Sequence, residues 1–171
     1  MPKYNPMFMS SDTRYEVQRT NHFYVVLQLD GIAGIDANDI QLAIESTGLP
    51  SIANDPIELA YGNSRVKVAG QANVEDITIT LKDFIESDIE GALLAWRNKV
   101  YNPETGMVGW AADYKRDAEI VYYGPDGTCT RAWTLQGCFP LSLDLGEMNY
   151  DGADKKLITM NLSVDNAFRA N

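Results

Sequence analysis

Basic residues are scarce. The 171-residue chain has 14 Lys plus Arg against 24 Asp plus Glu, a formal charge of −10. A protein that grips phosphate backbones draws on clustered cations, so tight nucleic-acid binding is excluded, and solubility is the simplest meaning of the acidity. Long apolar runs are missing as well: no stretch approaches the roughly 18 residues of a membrane span, and Met1–Asn5 lacks the apolar core of a signal peptide. Histidine occurs once, as His22 at the head of an apparent strand, where a structural role is expected. Cys129 and Cys138 are the only cysteines, with no CxxC pair or second Cys/His cluster for zinc. The extended segment between them holds them too far apart for a bridge, so free, half-buried thiols in a reducing compartment are expected. A Gly-rich phosphate loop, a GxSxG elbow and an HExxH pair are all absent. The chain reads as neither an enzyme nor a cofactor carrier.

What remains is an ordinary folded domain, 45% hydrophobic and 22% charged, long enough to bury roughly 70% of its unfolded surface. Residues 1–18 are polar and aperiodic, an arm rather than a domain. His22–Leu29 reads as a buried strand, and Asp39–Ser46 as a second after the Gly31 and Gly34 turn. Thr47–Ser64 mixes Gly48, Pro50, Pro56 and Gly62 with Leu49, Ile52, Ile57, Leu59 and Tyr61. It is a long loop or hairpin, too apolar for a solvated connector. Packing on its own domain as an edge hairpin is the alternative to an interaction role.

Two strands alternate cleanly. Ile77, Ile79 and Leu81 face one way and Thr78, Thr80 and Lys82 the other; Ile158, Met160, Leu162 and Val164 oppose Thr159, Asn161, Ser163 and Asp165 in the same manner. Arg65-Val66-Lys67-Val68 repeats the pattern on a smaller scale. Ser87-Asp88-Ile89-Glu90 has the form of a capping box, and Ile89, Leu93, Trp96 and Val100 follow as one apolar helical stripe, giving a helix over 87–100. Ile120–Tyr123, the Gly124–Gly127 turn and Thr128–Gln136 form a hairpin. Roughly seven strands and one helix make the class mainly β.

Two acidic groups invite a site reading. Asp30, Asp36 and Asp39 lack the spacing of a calcium loop. Asp144, Glu147, Asp151 and Asp154 surround the Gly146 and Gly152 turns, and paired acids for glycoside hydrolysis would need a cleft and a raised pKa that nothing here supports. Residues 20–64 hold six carboxylates and no Lys or Arg, with Arg65 and Lys67 immediately after. Such an imbalance suits head-to-tail self-assembly.

The order of these features resembles the tail tube proteins of contractile-tailed bacteriophages, a fold shared with tailocin and type VI secretion tubes. The resemblance rests on Asn21-His22-Phe23, the Gly48-Leu49-Pro50 turn, Val66–Gly70, the Ile77–Leu81 strand, the single helix, Gly137-Cys138-Phe139-Pro140 with its acidic turn to Asp151, and a last strand over Leu157–Asp165. It spans residues 19–168 as one tail-tube domain, leaving 169–171 as a tail. One departure is that Asn166, Ala167 and Phe168 follow Asp165, where the family often has an aromatic directly after this Asp.

The resemblance implies a β-sandwich or partial-barrel protomer with one outer helix. Six protomers would close a ring, four strands from each building a continuous 24-stranded barrel roughly 37 Å across. On that basis Thr78, Thr80, Thr159, Asn161, Ser163 and Asp165 line the lumen, and Ile89, Leu93, Trp96 and Val100 pack the helix onto the barrel. Leu49, Pro50, Ile52, Asp55, Pro56, Ile57, Leu59 and Tyr61 form a loop that reaches the next ring. The implied role is structural and non-enzymatic: a negatively charged conduit for viral DNA, inside a contractile sheath, in a virion assembled in the host cytoplasm. Sheath, baseplate, tail terminator and tape measure proteins are the implied partners. A baseplate tube-initiator or tailocin tube shares the fold. A monomeric β-sandwich binding carbohydrate or protein, and a hydrolase using Asp144 or Asp151, are the alternatives of other classes.

Overall fold

The computed structural model describes residues 13–29, 31–32 and 34–170. Most of the expected 1–18 arm and Asp30 therefore lie outside the described residues. A 3-10 turn, Thr13–Tyr15, leads towards β1 (Phe23–Leu27), and Gln18 anchors this entry by donating from Nε2 to the Tyr123 carbonyl at 3.2 Å.

The organising element is β9 (Cys129–Asp144), sixteen residues long. Its first half pairs antiparallel with β8 (Arg116–Tyr123) and β11 (Asn166–Ala170), its second half with β10 (Leu157–Ser163). Between the halves Gly137 has φ +67°, a left-handed conformation that suits glycine, and its N–H donates to Asp117 at 3.1 Å. The strand bends there and serves two sheets. With β5 (Ile77–Lys82) and β2 (Ile44–Thr47), the path runs β1-β8-β9-β10-β5-β2. Its two ends, β1 and β2, come back into contact. The sheet thus wraps most of the way around one core, a partial barrel of mainly β structure.

That core is built by alternation. Ile77, Ile79 and Leu81 of β5 and Ile158, Met160 and Leu162 of β10 are all buried, facing Val25, Leu27, Ile120 and Leu135. The open side is closed by α2 (Ile89–Val100), which buries Ile89, Leu93 and Trp96 in the same core and leaves Val100 half-buried. α2 packs most closely on β9, and its buried stripe joins the same core cluster as the apolar side of β5 and β10, leaving their polar side facing away from that core. Trp96 satisfies its indole N–H at the Tyr114 carbonyl, 2.7 Å away, as a buried tryptophan requires. Tyr114 ends the short α3 (Ala111–Tyr114), which follows the small hairpin β6 (Tyr101–Asn102) and β7 (Met107–Val108).

Three expectations are corrected. Asp39–Ser46 is not one strand: α1 (Ala37–Ala43) precedes β2. Asp36 caps it, accepting from Asn38 N, and Ile35 and Ile40 occupy the positions of a hydrophobic staple. The α2 cap is Asp88 rather than Ser87: its carboxylate accepts from Gly91 N at 2.7 Å. The Ser87 hydroxyl instead donates to Asp39 at 2.9 Å, and Glu90 pairs with Lys156, tying α2 to α1 and to β10. Finally, the closing strand ends at Ser163 rather than Asp165, and the chain then turns into β11.

Candidate assembly surfaces

The segment that stands apart from the core is β3 (Ile52–Tyr61) with β4 (Ser64–Val74), a two-stranded ribbon whose β3 residues are all exposed. Gly62, at φ +56°, opens a two-residue connection of the Gly-x form that suits hairpins. The pairs Ile57–Val68 and Leu59–Val66 place four aliphatic side chains on one face, continued by Tyr61. These are exposed by 53% (Ile57), 48% (Leu59), 79% (Tyr61), 50% (Val66) and 42% (Val68). The opposite face is charged: Arg65 Nη1 donates to Glu58 at 3.0 Å, and Lys67 lies 3.4 Å from the same carboxylate. A lone two-stranded hairpin is marginal in water, and an uncovered apolar face of this size marks an interaction surface. The expected stacking residues divide along this geometry. Ile57, Leu59 and Tyr61 lie on the apolar face, whereas Ile52 pairs with Val74 at the base, Asp55 sits at a register shift and Pro56 lies on the charged side. Leu49 (exposed) and Pro50 (half-buried) precede the ribbon altogether. Val66 and Val68, absent from the expected set, complete the face. Their alternation was visible, but it was read as a strand with one buried side.

The second surface is the polar side of β2, β5, β10 and the second half of β9. Across it run the pairs Thr78–Asn161–Ser142 and Thr80–Thr159–Asp144. The Thr78 hydroxyl donates to Asn161 Oδ1 at 2.7 Å, and Asn161 Nδ2 donates to the Ser142 hydroxyl at 2.9 Å. This chain links three strands without a charge. Ser163 continues the row, and Ser46 joins it opposite Thr80. Asp165 does not belong to it: the residue lies in the turn after β10, ion-paired with Lys115 and set against Gly137. Alternation puts Lys82 and Asp144 on this face, one of each sign, with Leu157 opposite Lys82, while Glu45 lies at the β2 bulge and pairs with Lys155. These two charges offset each other.

Groups that could have carried chemistry have structural work. His22 stacks on Tyr123 with ring centroids 5.1 Å apart. Cys138 is buried, and burial, with Asp117 and Asp165 nearby, pushes its thiol up to about 12, while Cys129 is exposed. Among the described residues no group of three His, Cys, Asp or Glu is placed to hold a metal ion. No helix among them is long and apolar enough to cross a membrane.

Comparison with known proteins agrees with this architecture. The T4-like virus tail tube protein gp19 family matches residues 19–167, and the chain belongs to that family of structural tube proteins. The tail tube protein of Serratia phage KSP90 is 22% identical over 141 residues, covering 81% of this chain and 80% of that protein. Tail tube protein gp19 of Enterobacteria phage T4 is 25% identical over 109 residues, 63% of this chain and 66% of that protein. In fold, the chain is similar to the sheath/tube terminator of the PVC extracellular contractile injection system, with TM-score 0.71, 20% identity and coverage of 94% and 100%. It is also similar to a chain of the PVC sheath–tube complex, with TM-score 0.67, 19% identity and 98% of each chain covered.

Proposed function

We propose that this chain is the subunit of the inner tube of a contractile phage tail, stacked as six-membered rings into a conduit for viral DNA. The observation that carries the reading is the four-stranded sheet β9-β10-β5-β2, apolar on one side, uncharged polar on most of the other, and without a hydrogen-bonded strand among the described residues on the outer side of β2 or of the second half of β9. Each neighbour in it is antiparallel, so β2 and the second half of β9 run in opposite directions. An even number of strands lets the β2 edge of one copy meet the β9 edge of the next in antiparallel register. Six copies then close a 24-stranded barrel, which removes the edges that would otherwise invite indiscriminate pairing. The apolar side of each sheet faces its own core, so the lumen takes the hydroxyl and amide side.

The tube works passively. It holds a water-filled channel open, and its wall of Thr78, Thr80, Thr159, Asn161, Ser163 and Ser142 offers passing DNA neither cations to bind nor a dense negative field. A contractile sheath surrounds it, the baseplate and a tail terminator close its ends, and tape measure protein and then DNA occupy the lumen, in a virion assembled in the host cytoplasm. That chains of similar fold occur in a sheath–tube complex and in a sixfold-symmetrised baseplate supports these partners. Electron microscopy of the purified protein at high concentration, seeded with baseplate, tests the reading. Long tubes with a regular axial repeat are expected; a persistent monomer under those conditions refutes it.

A further inference from the structure

The two ends of the polar sheet carry different chemistry. At one end β2 stops, β5 starts and β10 stops, with Ile77 opposite Leu162. The β3–β4 ribbon leaves and re-enters the body there, through Gly48–Ser51 and Glu75–Asp76. At the other end, where Lys82 lies opposite Leu157, the loop 145–156 joins β9 to β10. This loop displays two large apolar side chains in the open, Met148 at 87% and Tyr150 at 108% exposure. Glu147, Asp151 and Asp154 surround them, all exposed and without an ion-pair partner among the described residues. The adjacent lysines are already engaged, Lys155 with Glu45 and Lys156 with Asp83 and Glu90. The loop is therefore apolar and negative.

The ribbon is its complement. It offers Ile57, Leu59, Tyr61, Val66 and Val68 on one face, and on the other Arg65 and Lys67 against a single Glu58. Neither surface is covered by the other described residues, and they lie at opposite ends of the same strands. We infer that the loop 145–156 of one ring is the receptor for the β3–β4 ribbon of a second copy in the next ring. Met148 and Tyr150 meet the ribbon's apolar face, and the loop carboxylates reach Arg65 and Lys67 round the β4 edge. The contact is heterologous, so each copy has one free donor and one free receptor and stacking continues indefinitely. This inference rests on the tube reading and adds the identity of the receptor.

The test uses full-length chain in assembled tubes. In a Cys129→Ser background, Leu59→Cys is combined with Met148→Cys, and separately Tyr61→Cys with Tyr150→Cys. Tubes are treated with a flexible bis-maleimide and resolved by denaturing electrophoresis; buried Cys138 stays silent. Ribbon-to-loop docking between rings links one subunit per ring along the tube, so a ladder extending well beyond six subunits is expected, and each single-cysteine control lacks it. A ladder that ends at six would place the ribbon on its neighbour within the ring and overturn the proposal; so would intact tubes with no ladder in either pair. As a second measurement, Met148→Asp with Tyr150→Asp should leave a folded protein that makes no tubes, and normal tube growth from it overturns the assignment. Failure of the unsubstituted chain to form any tube would count against the tube reading itself.

Discussion

Leu59→Asp separates folding from assembly. Leu59 is 48% exposed on the apolar face of the β3–β4 ribbon. About half of a leucine's burial energy therefore remains to be gained at an interface, roughly 1 kcal/mol out of the ~1.5–3 for full burial. An aspartate forfeits that gain and adds the cost of desolvating a carboxylate, so ~1 kcal/mol per contact is a floor. In a six-membered ring the loss repeats at six equivalent, well-separated sites, giving about 6 kcal/mol and roughly a 10⁴-fold weaker ring-on-ring association. The subunit itself should barely notice, because an exposed substitution away from the core usually falls within about 0.5 kcal/mol. Tube mass by sedimentation and length by electron microscopy read the first effect; thermal unfolding of unassembled protein reads the second. Tubes of normal length, or a subunit that no longer folds, would refute the reasoning that this face is built for assembly and not for the fold.

Further outcomes follow from the same structure. Gly70→Ala should also block tube growth while sparing the subunit's Tm, since a Cβ there would run into the Asp55 carbonyl oxygen at the register shift of the ribbon; electron microscopy beside a melting curve checks it. Lys156→Met should leave Asp83 and Glu90 facing each other half-buried and cost about 1–2 kcal/mol, read as a Tm lower by roughly 2–8 °C. Hydrogen bonds to Glu90 and then Asp83 raise the Lys156 ammonium above its ordinary 10.5. Its contribution is therefore complete below pH 10.5 and fades as pH climbs through the raised value, and the gap between wild type and Lys156→Met should narrow there. With a thiol reagent at pH 8, Cys129 should react at once and Cys138, buried with its thiol near 12, only after denaturant is added; two fast thiols per chain would contradict the packing around β9.

Legibility in the sequence followed the physics of each element. Strands β5 and β10 were readable because their apolar and polar residues alternate without interruption, and that alternation is decided by burial on one side alone. The α2 stripe of Ile89, Leu93 and Trp96 was readable for the same reason at helical period. Helix α1 was not: Ile40, Leu42 and Ile44 alternate as in a strand while Ile40 and Ala43 share a helical face, and the deciding feature, Asp36 as cap, lies just upstream of that segment. The cap of α2 shifted by one residue because Ser87 finds a better partner in Asp39, a contact between elements 48 residues apart that no local pattern contains. The ribbon was legible as an apolar segment out of place, but not as an amphipathic sheet. Pairing alone brings Val66 and Val68 beside Leu59 and Ile57, in the register set by the Gly62-Asn63 turn, which an apolar count along one strand does not contain.

The acidity of the chain takes a different meaning once residues have positions. A formal charge of −10 suggests a negative channel, yet the polar sheet face carries mostly hydroxyl and amide side chains, with Lys82, Asp144 and Leu157 together at one end. The other carboxylates gather at the ends of that sheet: Glu75 and Asp76 where the ribbon emerges, and Glu147, Asp151 and Asp154 where the 145–156 loop turns. Charge at the ends acts between rings, while charge along the wall would act on the cargo. Clustered cations would trap a polyanion through counterion release, and a dense anionic lining would oppose its entry; a nearly neutral hydroxyl wall does neither. The surplus of Asp and Glu therefore says little about what passes through the tube. It says more about how neighbouring copies recognise which end of each other to meet, because two like ends brought together would set loop carboxylate against loop carboxylate, and only the head-to-tail arrangement presents Arg65 and Lys67 to them.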